Sequence, residues 1–283
     1  MAVIAILSIF LLSSCLQVTT NPTTTGVELE TISAATAPDI EKQEQPYFKT
    51  MNLGSSKVFE GKCLFVNIFL SDSVSFFNNA EKQNRMRKMV TVKNYFEQRS
   101  KPYNKRLSFI YNEDNLTIDY KTDFVIPDNV KDNMWTYYLL VNILSEYDVE
   151  SVVNQYEADN ISFLFHINKT GRSYAMVQNE GFDSFYDNEI GVLYSSVTDT
   201  NSNIVETGEF TYAHEILHLF GAIDLYYPYN PEDERIALAE EYFPDDIMLR
   251  YFYEIDQAEI GEVAAYLIGW SRYLETEYCA FVQ

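Results

Sequence analysis

The sequence predicts an α/β (α+β) fold, with a mixed, twisted sheet, one buried helix and a mainly helical C-terminal part. The first observation is that apolar, β-branched and aromatic runs alternate with longer segments of helix-forming residues. The second is that the 283 residues are 47% hydrophobic, which is enough apolar material for a large core. The third is that helices of about 15–25 residues separate the strands, which favours one sheet over two domains.

The first half of the folded region is predicted to contain three strands and one helix. Residues 63–70 (CLFVNIFL) are strongly apolar and are predicted to form a central strand. Residues 78–99 lack Gly and Pro and are predicted to form an amphipathic helix. Residues 106–112 and 116–122 are predicted to form two short strands, separated by a turn at 113–115.

The region that follows is predicted to add one helix and three strands. Residues 133–156 are predicted to form a single long helix. Residues 161–167 (ISFLFHI) are predicted to form a strand that ends in a turn at 168–171. Residues 173–178 and 191–196 are predicted as further strands, and the second of these is placed at an edge of the sheet.

The charge balance argues against nucleic acid as a partner. The chain has 20 Lys and Arg residues against 42 Asp and Glu residues, which gives a formal net charge of −22. Such a surface repels phosphate backbones, and the sequence shows no basic stripe that would offset the repulsion. No nucleic-acid function is therefore expected.

The N-terminal segment has the pattern of a secretory signal. Residues 2–12 are apolar but too few to span a bilayer as a stable helix. They are followed by Ser13, Ser14 and Cys15, and a short apolar run closed by small residues is typical of a signal peptide. The sequence LSSC also resembles a bacterial lipobox, in which the Cys is lipidated and becomes the new N-terminus.

The chain after Cys15 is rich in Thr, Ala, Pro and acidic residues and is predicted to be a solvated tether. The expected organisation is a signal peptide (1–14), a lipidated flexible tether (15–55) and a folded domain (56–283). The expected location is outside the cytoplasm, on the cell membrane or outer membrane through the lipid anchor. Leu16 after the Cys favours the outer membrane, by resemblance to known sorting signals.

Residues 214–224 (HEILHLFGAID) carry the pattern that indicates metal chemistry. His214 and His218 are four residues apart, so on a helix both imidazoles project from one face, as two ligands of one metal ion require. Glu215 is offset by about 100° around the helix axis, where it can reach a metal-bound water without being a ligand. The predicted cofactor is Zn²⁺.

The helix that carries these residues is predicted to be buried, because its other residues are apolar on nearly all sides. A Glu and two His inside such a helix are costly unless they coordinate or pair with something. The chain has only three His, and two of them fall within this motif. Metal binding therefore explains the pattern better than chance or a pair of packed core histidines.

A third ligand is expected after the helix. Gly221 can adopt the left-handed conformation that ends a helix, and Asp224 follows three residues later. A carboxylate at Asp224 would complete a set of two His and one Asp and leave a fourth position for water. Four downstream carboxylates remain alternatives for the third ligand: Asp245, Asp246, Glu259 and Glu262.

The pattern HExxHxxGxxD resembles the metzincin-type signature of bacterial zinc metallopeptidases, with Asp in place of a third His. Met248, in FPDDIMLRYF, resembles the Met-turn of that group. The resemblance implies a zincin-like catalytic domain and an endopeptidase that acts on a peptide or protein substrate. It implies Glu215 as general base and a substrate extended along an edge strand. Some relatives have Tyr two residues after the Met, where this chain has Arg250, so no Tyr role is inferred.

Two other functions are compatible with the motif. One is a surface binding or adhesion lipoprotein whose zinc site is structural or vestigial. The other is a zinc hydrolase that acts on a non-peptide amide. The intact Glu215 favours an enzyme, because a purely structural site has no need of a base.

The remaining candidates favour ordinary structural roles. His166, in a predicted strand, is interpreted as a packed histidine. An acidic stretch is interpreted as a solvated helix face, with calcium binding as the alternative: Glu232, Asp233, Glu234, Glu240 and Glu241. Cys63 is not expected to be a catalytic thiol, and whether it pairs with Cys279 is left open.

Lipidation of Cys15 predicts that Cys15→Ser releases an otherwise active protein into the medium or blocks its processing. The reason is that a polar tether alone has no affinity for a bilayer, whereas several acyl chains give stable anchoring. Detergent partitioning of the wild type and the mutant, with mass spectrometry of the mature N-terminus, measures this. An unmodified N-terminus, or a mutant that partitions like the wild type, would contradict the anchor.

Overall fold

The computed structural model describes residues 54–128, 133–177, 188–226 and 234–282. The strands are, in chain order, β1 (Gly61–Ser71), β2 (Leu107–Ile110), β3 (Thr117–Lys121), β4 (Asn160–Thr170), β5 (Tyr174–Met176), β6 (Ile190–Thr198) and β7 (Ile204–Glu206). The α-helices are α1 (Asn79–Arg99), α2 (Met134–Leu144), α3 (Val149–Tyr156), α4 (Glu209–Leu219), α5 (Glu234–Tyr242) and α6 (Glu262–Leu267).

The seven strands form one mixed sheet, as the sequence predicts, and its strand order is β2-β1-β4-β6-β5. β3 pairs with β1 beyond the end of β2, and β7 pairs with β6. The contacts of β1 with β2, β3 and β4 are parallel, as is that of β4 with β6. β5 and β7 both run antiparallel to β6.

Helices cover both faces of the sheet, which is what its buried parallel strands require. Along β1, side chains alternate between two cores. Phe65 faces the core shared with α1, α4 and the C-terminal segments, whereas Leu64 and Val66 face the core shared with α2 and α3. This alternation explains why the apolar run at 63–70 has no polar face.

Several predicted elements are confirmed. Residues 63–70 lie in β1, a central strand, and the two short strands at 106–112 and 116–122 are β2 and β3. The helix predicted at 78–99 is α1. It begins with a capping box in which Asn78 and Glu81 each accept a backbone N–H from the other.

Three predictions are wrong. The turn predicted at 168–171 starts too early, because β4 runs on to Thr170, which pairs with Ser196 after a bulge. The single helix predicted at 133–156 is two helices, because α2 ends at Leu144 and the Asp148 side chain accepts the Ser151 N–H to start α3. The strand predicted at 191–196 is not at an edge. It lies within β6, which has β4 on one side and the short strands β5 and β7 on the other.

After β7, the described residues contain no strand, only α4, α5, α6 and short 3-10 turns, which agrees with a mainly helical C-terminal part. Within the described part of the chain, no helix is long and apolar enough to cross a bilayer. The signal peptide, Cys15 and the tether up to residue 53 lie outside the described residues.

Aromatic packing fixes the C-terminal end of α4 on the sheet. The Phe220 ring stacks on Phe59, with 4.2 Å between ring centroids, and meets Phe65 of β1 edge-on at 6.3 Å. All three side chains are fully buried. The segment that leaves α4 is therefore anchored to the sheet before it turns back.

Replacing Phe220 by Ala should lower the free energy of unfolding by about 3–5 kcal/mol, because the cavity left in this cluster cannot fully collapse. Urea unfolding followed by circular dichroism measures the change. The matched control is Phe76→Ala, at a ring that is 69% exposed, and we expect it to change the unfolding free energy by less than about 0.5 kcal/mol. Equal effects of the two substitutions would contradict this packing account.

Candidate metal centre

The candidate metal centre lies on α4, which is buried on nearly all sides, as its apolar sequence predicts. The helix begins after Gly208, and eight of its eleven residues are buried, including His214 and Glu215. His218 lies one turn after His214 on the same face, with 4.8 Å between the ring centroids. The helix therefore places two imidazoles side by side in a region where polar groups need partners.

Gly221 turns the chain back after α4. Its φ angle is +100°, in the left-handed region that favours glycine, and its N–H donates to His218 O at 2.9 Å. The next residue, Ala222, donates to Leu217 O at 3.1 Å. This reversal brings Asp224 back beside the two imidazoles.

Three ligand-type atoms meet at equal distances. His214 Nε2 and His218 Nε2 are 3.2 Å apart, and each is 3.2 Å from Asp224 Oδ1. Among the described residues, this is the group of His, Cys, Asp and Glu side chains that can hold a metal ion.

Backbone carbonyls set the orientation of both imidazoles. His214 Nδ1 lies 3.0 Å from Ile247 O, and His218 Nδ1 lies 2.7 Å from Ala222 O. Because a carbonyl oxygen can only accept, each Nδ1 carries a proton and donates it. In the neutral ring, Nε2 then has a free lone pair, which is the form that binds metal.

The three converging atoms fit a bound cation. Lone pairs that face one another repel unless a positive charge lies between them. Asp224 Oδ1 is buried and has no hydrogen-bond partner among the described residues, as expected of an atom whose partner is a metal ion. Ligand atoms of a tetrahedral zinc ion lie about 3.3 Å from one another, close to the separations found here.

Electrostatics reinforce the attraction for a cation. Burial alone would raise the pKa of Asp224, but hydrogen bonds and charge from the two imidazoles in their protonated form hold this pKa well below its ordinary value. Burial would lower the pKa of His218, but contacts with Asp224 and the charge of Glu215 raise it instead. Protons and a metal ion therefore compete for the same ligand atoms.

The segment around Met248 supports both sides of the site through its backbone. Ile247 O orients His214, as above, and Met248 O accepts the Leu225 N–H next to Asp224 at 2.9 Å. Asp246 holds this segment in place, since Oδ1 accepts Met248 N–H and Oδ2 accepts Gly261 N–H. Met248 itself is fully buried in the core that contains α4.

The four alternative third ligands lie in other environments. Asp246 uses both oxygens for backbone amides, and burial raises its pKa to about 6. Glu259 pairs with Arg99 at 2.6 Å, and Asp245 is exposed. Glu262 lies in the first turn of α6. None of the four belongs to the metal-type cluster found among the described residues.

A cavity of about 400 Å³ opens beside the three ligand atoms. Glu215 lines this cavity, and burial raises the pKa of its carboxyl group. The residues that complete the lining include several that the sequence interpretation did not select: Asn133, Arg172, Ser173, Tyr174, Ala175, Val177 and Tyr226.

Most of these additional residues come from the segment 172–177, which contains the end of the β4–β5 loop, β5 and the residue after it, and which is distant from the motif in sequence. Only Tyr226 had a local signal, because it follows Asp224 by two residues. Its ring stacks over His214 at 6.2 Å, and burial raises its pKa to about 12. The phenol therefore remains protonated and can donate a hydrogen bond into the cavity.

The other histidine is packed, as expected. His166 is fully buried in β4, hydrogen-bonds Asn67 at 2.9 Å and stacks on Phe69. On α5, Glu240 and Glu241 are exposed, in agreement with a solvated face, and among the described residues neither joins a metal-type cluster. Glu232 and Asp233 lie outside the described residues.

Cys63 and Cys279 do not form the disulfide that the sequence left open. Each is a thiol, with Cys63 Sγ 3.4 Å from Glu60 O and Cys279 Sγ 3.8 Å from Glu275 O. Burial raises the pKa of Cys63 to about 12. Cys63 therefore stays protonated at neutral pH, which agrees with the expectation that it is not a catalytic thiol.

Removing the carboxylate of Asp224 should weaken metal binding strongly, because the ligand set falls from three protein atoms to two. We expect Asp224→Ala to lose bound zinc during dialysis, as measured by elemental analysis of the purified protein. Alanine at Asp245, Glu259 or Glu262 is the matched control and should leave the zinc content near one per chain. Loss of zinc from one of these controls instead would assign the third ligand elsewhere.

No protein-family model matches this sequence. No curated protein sequence matches it either. The likeness of this site to those of zinc peptidases therefore rests on its sequence motif alone.

Proposed function

We propose that this protein is a zinc-dependent endopeptidase with a zincin-like catalytic domain. The observation that carries the proposal is the convergence of His214, His218 and Asp224 beside an open cavity that Glu215 also lines. Two imidazole nitrogens and one carboxylate oxygen form a donor set that suits zinc. An adjacent carboxylate that is not a ligand supplies the base that hydrolysis needs.

The open cavity favours catalysis over a structural zinc site. Structural sites are usually closed by four protein ligands, whereas catalytic sites keep one position for water or substrate. The described residues supply three ligand atoms here, and the cavity lies beside them. A binding protein with purely structural zinc would require neither the opening nor Glu215.

The residues of the chain divide the work of hydrolysis. Zinc held at this site would polarise the scissile carbonyl and lower the pKa of an attacking water. Glu215 takes the proton from that water and delivers it to the leaving amine. Tyr226, as a protonated phenol in the same cavity, is placed to donate a hydrogen bond to the oxygen that becomes negative.

The position of β5 favours a peptide over a smaller amide substrate. β5 ends the strand order of the sheet, and residues in or next to β5 line the cavity: Arg172, Ser173, Tyr174, Ala175 and Val177. An extended peptide can add to such an edge through main-chain hydrogen bonds.

Anchoring of the enzyme to a membrane through Cys15 is part of the proposal, and it rests on the sequence motif.

Replacing Glu215 by Gln should leave zinc bound but reduce peptide hydrolysis by several orders of magnitude, since only the base is removed. The measurement is cleavage of a peptide library by zinc-loaded protein, with and without a chelator, alongside the zinc content of each variant. Glu240→Gln, on the exposed face of α5, is the matched control and should cleave like the wild type.

A Glu215→Gln variant that cleaves peptides at a rate near that of the wild type would contradict the mechanism. A wild-type protein that binds zinc but cleaves no peptide would favour one of the two alternative functions, a binding protein or a hydrolase of a non-peptide amide. Hydrolysis of small amide substrates by that protein would separate these two functions.

A further inference from the structure

We propose that Arg172 selects substrates that carry a carboxylate next to the scissile bond, an inference that rests on the proposed peptidase function. Arg172 lies in the loop that connects β4 to β5, is exposed, and lines the cavity that Glu215 and Asp224 also line. A guanidinium binds a carboxylate through two parallel hydrogen bonds, which is a strong and directional form of recognition.

Among the described residues that line the cavity, Arg172 is the one Arg or Lys side chain. No described carboxylate lies within ion-pair distance of its guanidinium, although the charge of Arg172 lowers the pKa of Glu215 against the larger effect of burial, which raises it. The Tyr226 phenol oxygen is a hydrogen-bond partner of the guanidinium, but it accepts only some of the guanidinium N–H groups. Within the described part of the chain, donors of the guanidinium therefore remain for a ligand in the cavity.

The backbone around Arg172 is fixed on both sides. Gly171 N–H donates to Ser196 O at 2.8 Å, and Ser173 Oγ accepts the Tyr194 N–H at 3.1 Å, so both neighbours are tied to β6. A Cβ atom at Gly171 would overlap the Tyr194 ring, which shows how closely this loop lies against the sheet. Arg172 is thus presented to the cavity by a rigid element rather than a loose loop.

Local charge outweighs the overall charge of the protein at this position. The net charge of −22 repels acidic substrates at long range, but salt screens such repulsion beyond about 8 Å at physiological ionic strength. A divalent cation at the site would offset the charges of Asp224 and Glu215, which leaves the Arg172 charge uncompensated. Direct contact with this guanidinium therefore decides whether a substrate with a carboxylate is preferred over one without.

The test uses quenched fluorescent peptides that differ only in Glu or Gln at one scanned position, each with a free or an amidated C-terminus. At one of the scanned positions or at the terminus, the zinc-loaded wild type should cleave the peptide with the carboxylate with about tenfold higher kcat/KM than its uncharged counterpart. Arg172→Gln should reduce this preference to less than about twofold, while Arg172→Lys keeps part of it. Arg87→Gln, at an exposed site on α1, is the control and should behave like the wild type.

The paired peptides identify the source of the carboxylate. A preference that follows Glu over Gln assigns a side chain, and one that follows the free acid over the amide assigns the peptide terminus. A third peptide with Lys at the same position tests charge reversal, because Arg172→Glu should cleave it faster than the Glu peptide. Tyr226→Phe should slow all peptides alike and leave the Glu-to-Gln ratio unchanged.

A Glu-to-Gln ratio that stays the same in Arg172→Gln would overturn the proposal, as would an equal loss for every peptide, which would show that Arg172 only positions Tyr226. Fluorescence anisotropy of the same peptides bound to Glu215→Gln provides a readout that needs no turnover. Carboxylate-dependent binding without any cleavage by the wild type would reject the peptidase function but keep the role of Arg172.

Discussion

Two hydrogen bonds, from His214 Nδ1 to Ile247 O and from His218 Nδ1 to Ala222 O, determine how the rest of the site is built. They place the proton of each ring on Nδ1, so both Nε2 lone pairs point at Asp224 Oδ1. Three acceptors at 3.2 Å from one another are unfavourable as a protein-only arrangement. A cation turns the same arrangement into a favourable one, and the candidate metal centre follows from that constraint.

The fold supplies the two carbonyls by different routes. Ala222 O is local, because the left-handed Gly221 reverses the chain immediately after α4. Ile247 O comes from a distant segment, which Asp246 fixes by accepting the backbone N–H groups of Met248 and Gly261. The same segment holds Leu225 beside Asp224, so one buried carboxylate supports two of the three ligands without touching either.

The sequence predicts the local half of this site and singles out the distant segment around Met248, but it misses most residues that complete the cavity lining. The spacing of His214, Glu215 and His218 is helical geometry, and the turn at Gly221 is backbone chemistry, so both can be inferred from neighbouring residues. Arg172 reaches the cavity only because β5 folds back along β6, and sequence spacing carries no trace of that pairing. The edge position predicted for the strand at 191–196 is wrong for the same reason, because a strand's position at the edge or in the interior depends on the order of strands in the sheet. The break between α2 and α3 depends on one cap at Asp148, within a segment composed of helix-forming residues.

The central claim is that these three side chains hold one zinc ion, and anomalous X-ray diffraction at the zinc absorption edge tests it most directly. Crystals of the zinc-loaded protein should show a single anomalous peak at about 2.0–2.2 Å from His214 Nε2, His218 Nε2 and an Asp224 carboxylate oxygen. The fourth position should hold a water or a substrate group rather than a protein atom. A zinc peak bound by Asp246, Glu259 or another protein carboxylate, or a site closed by four protein ligands, would contradict the account.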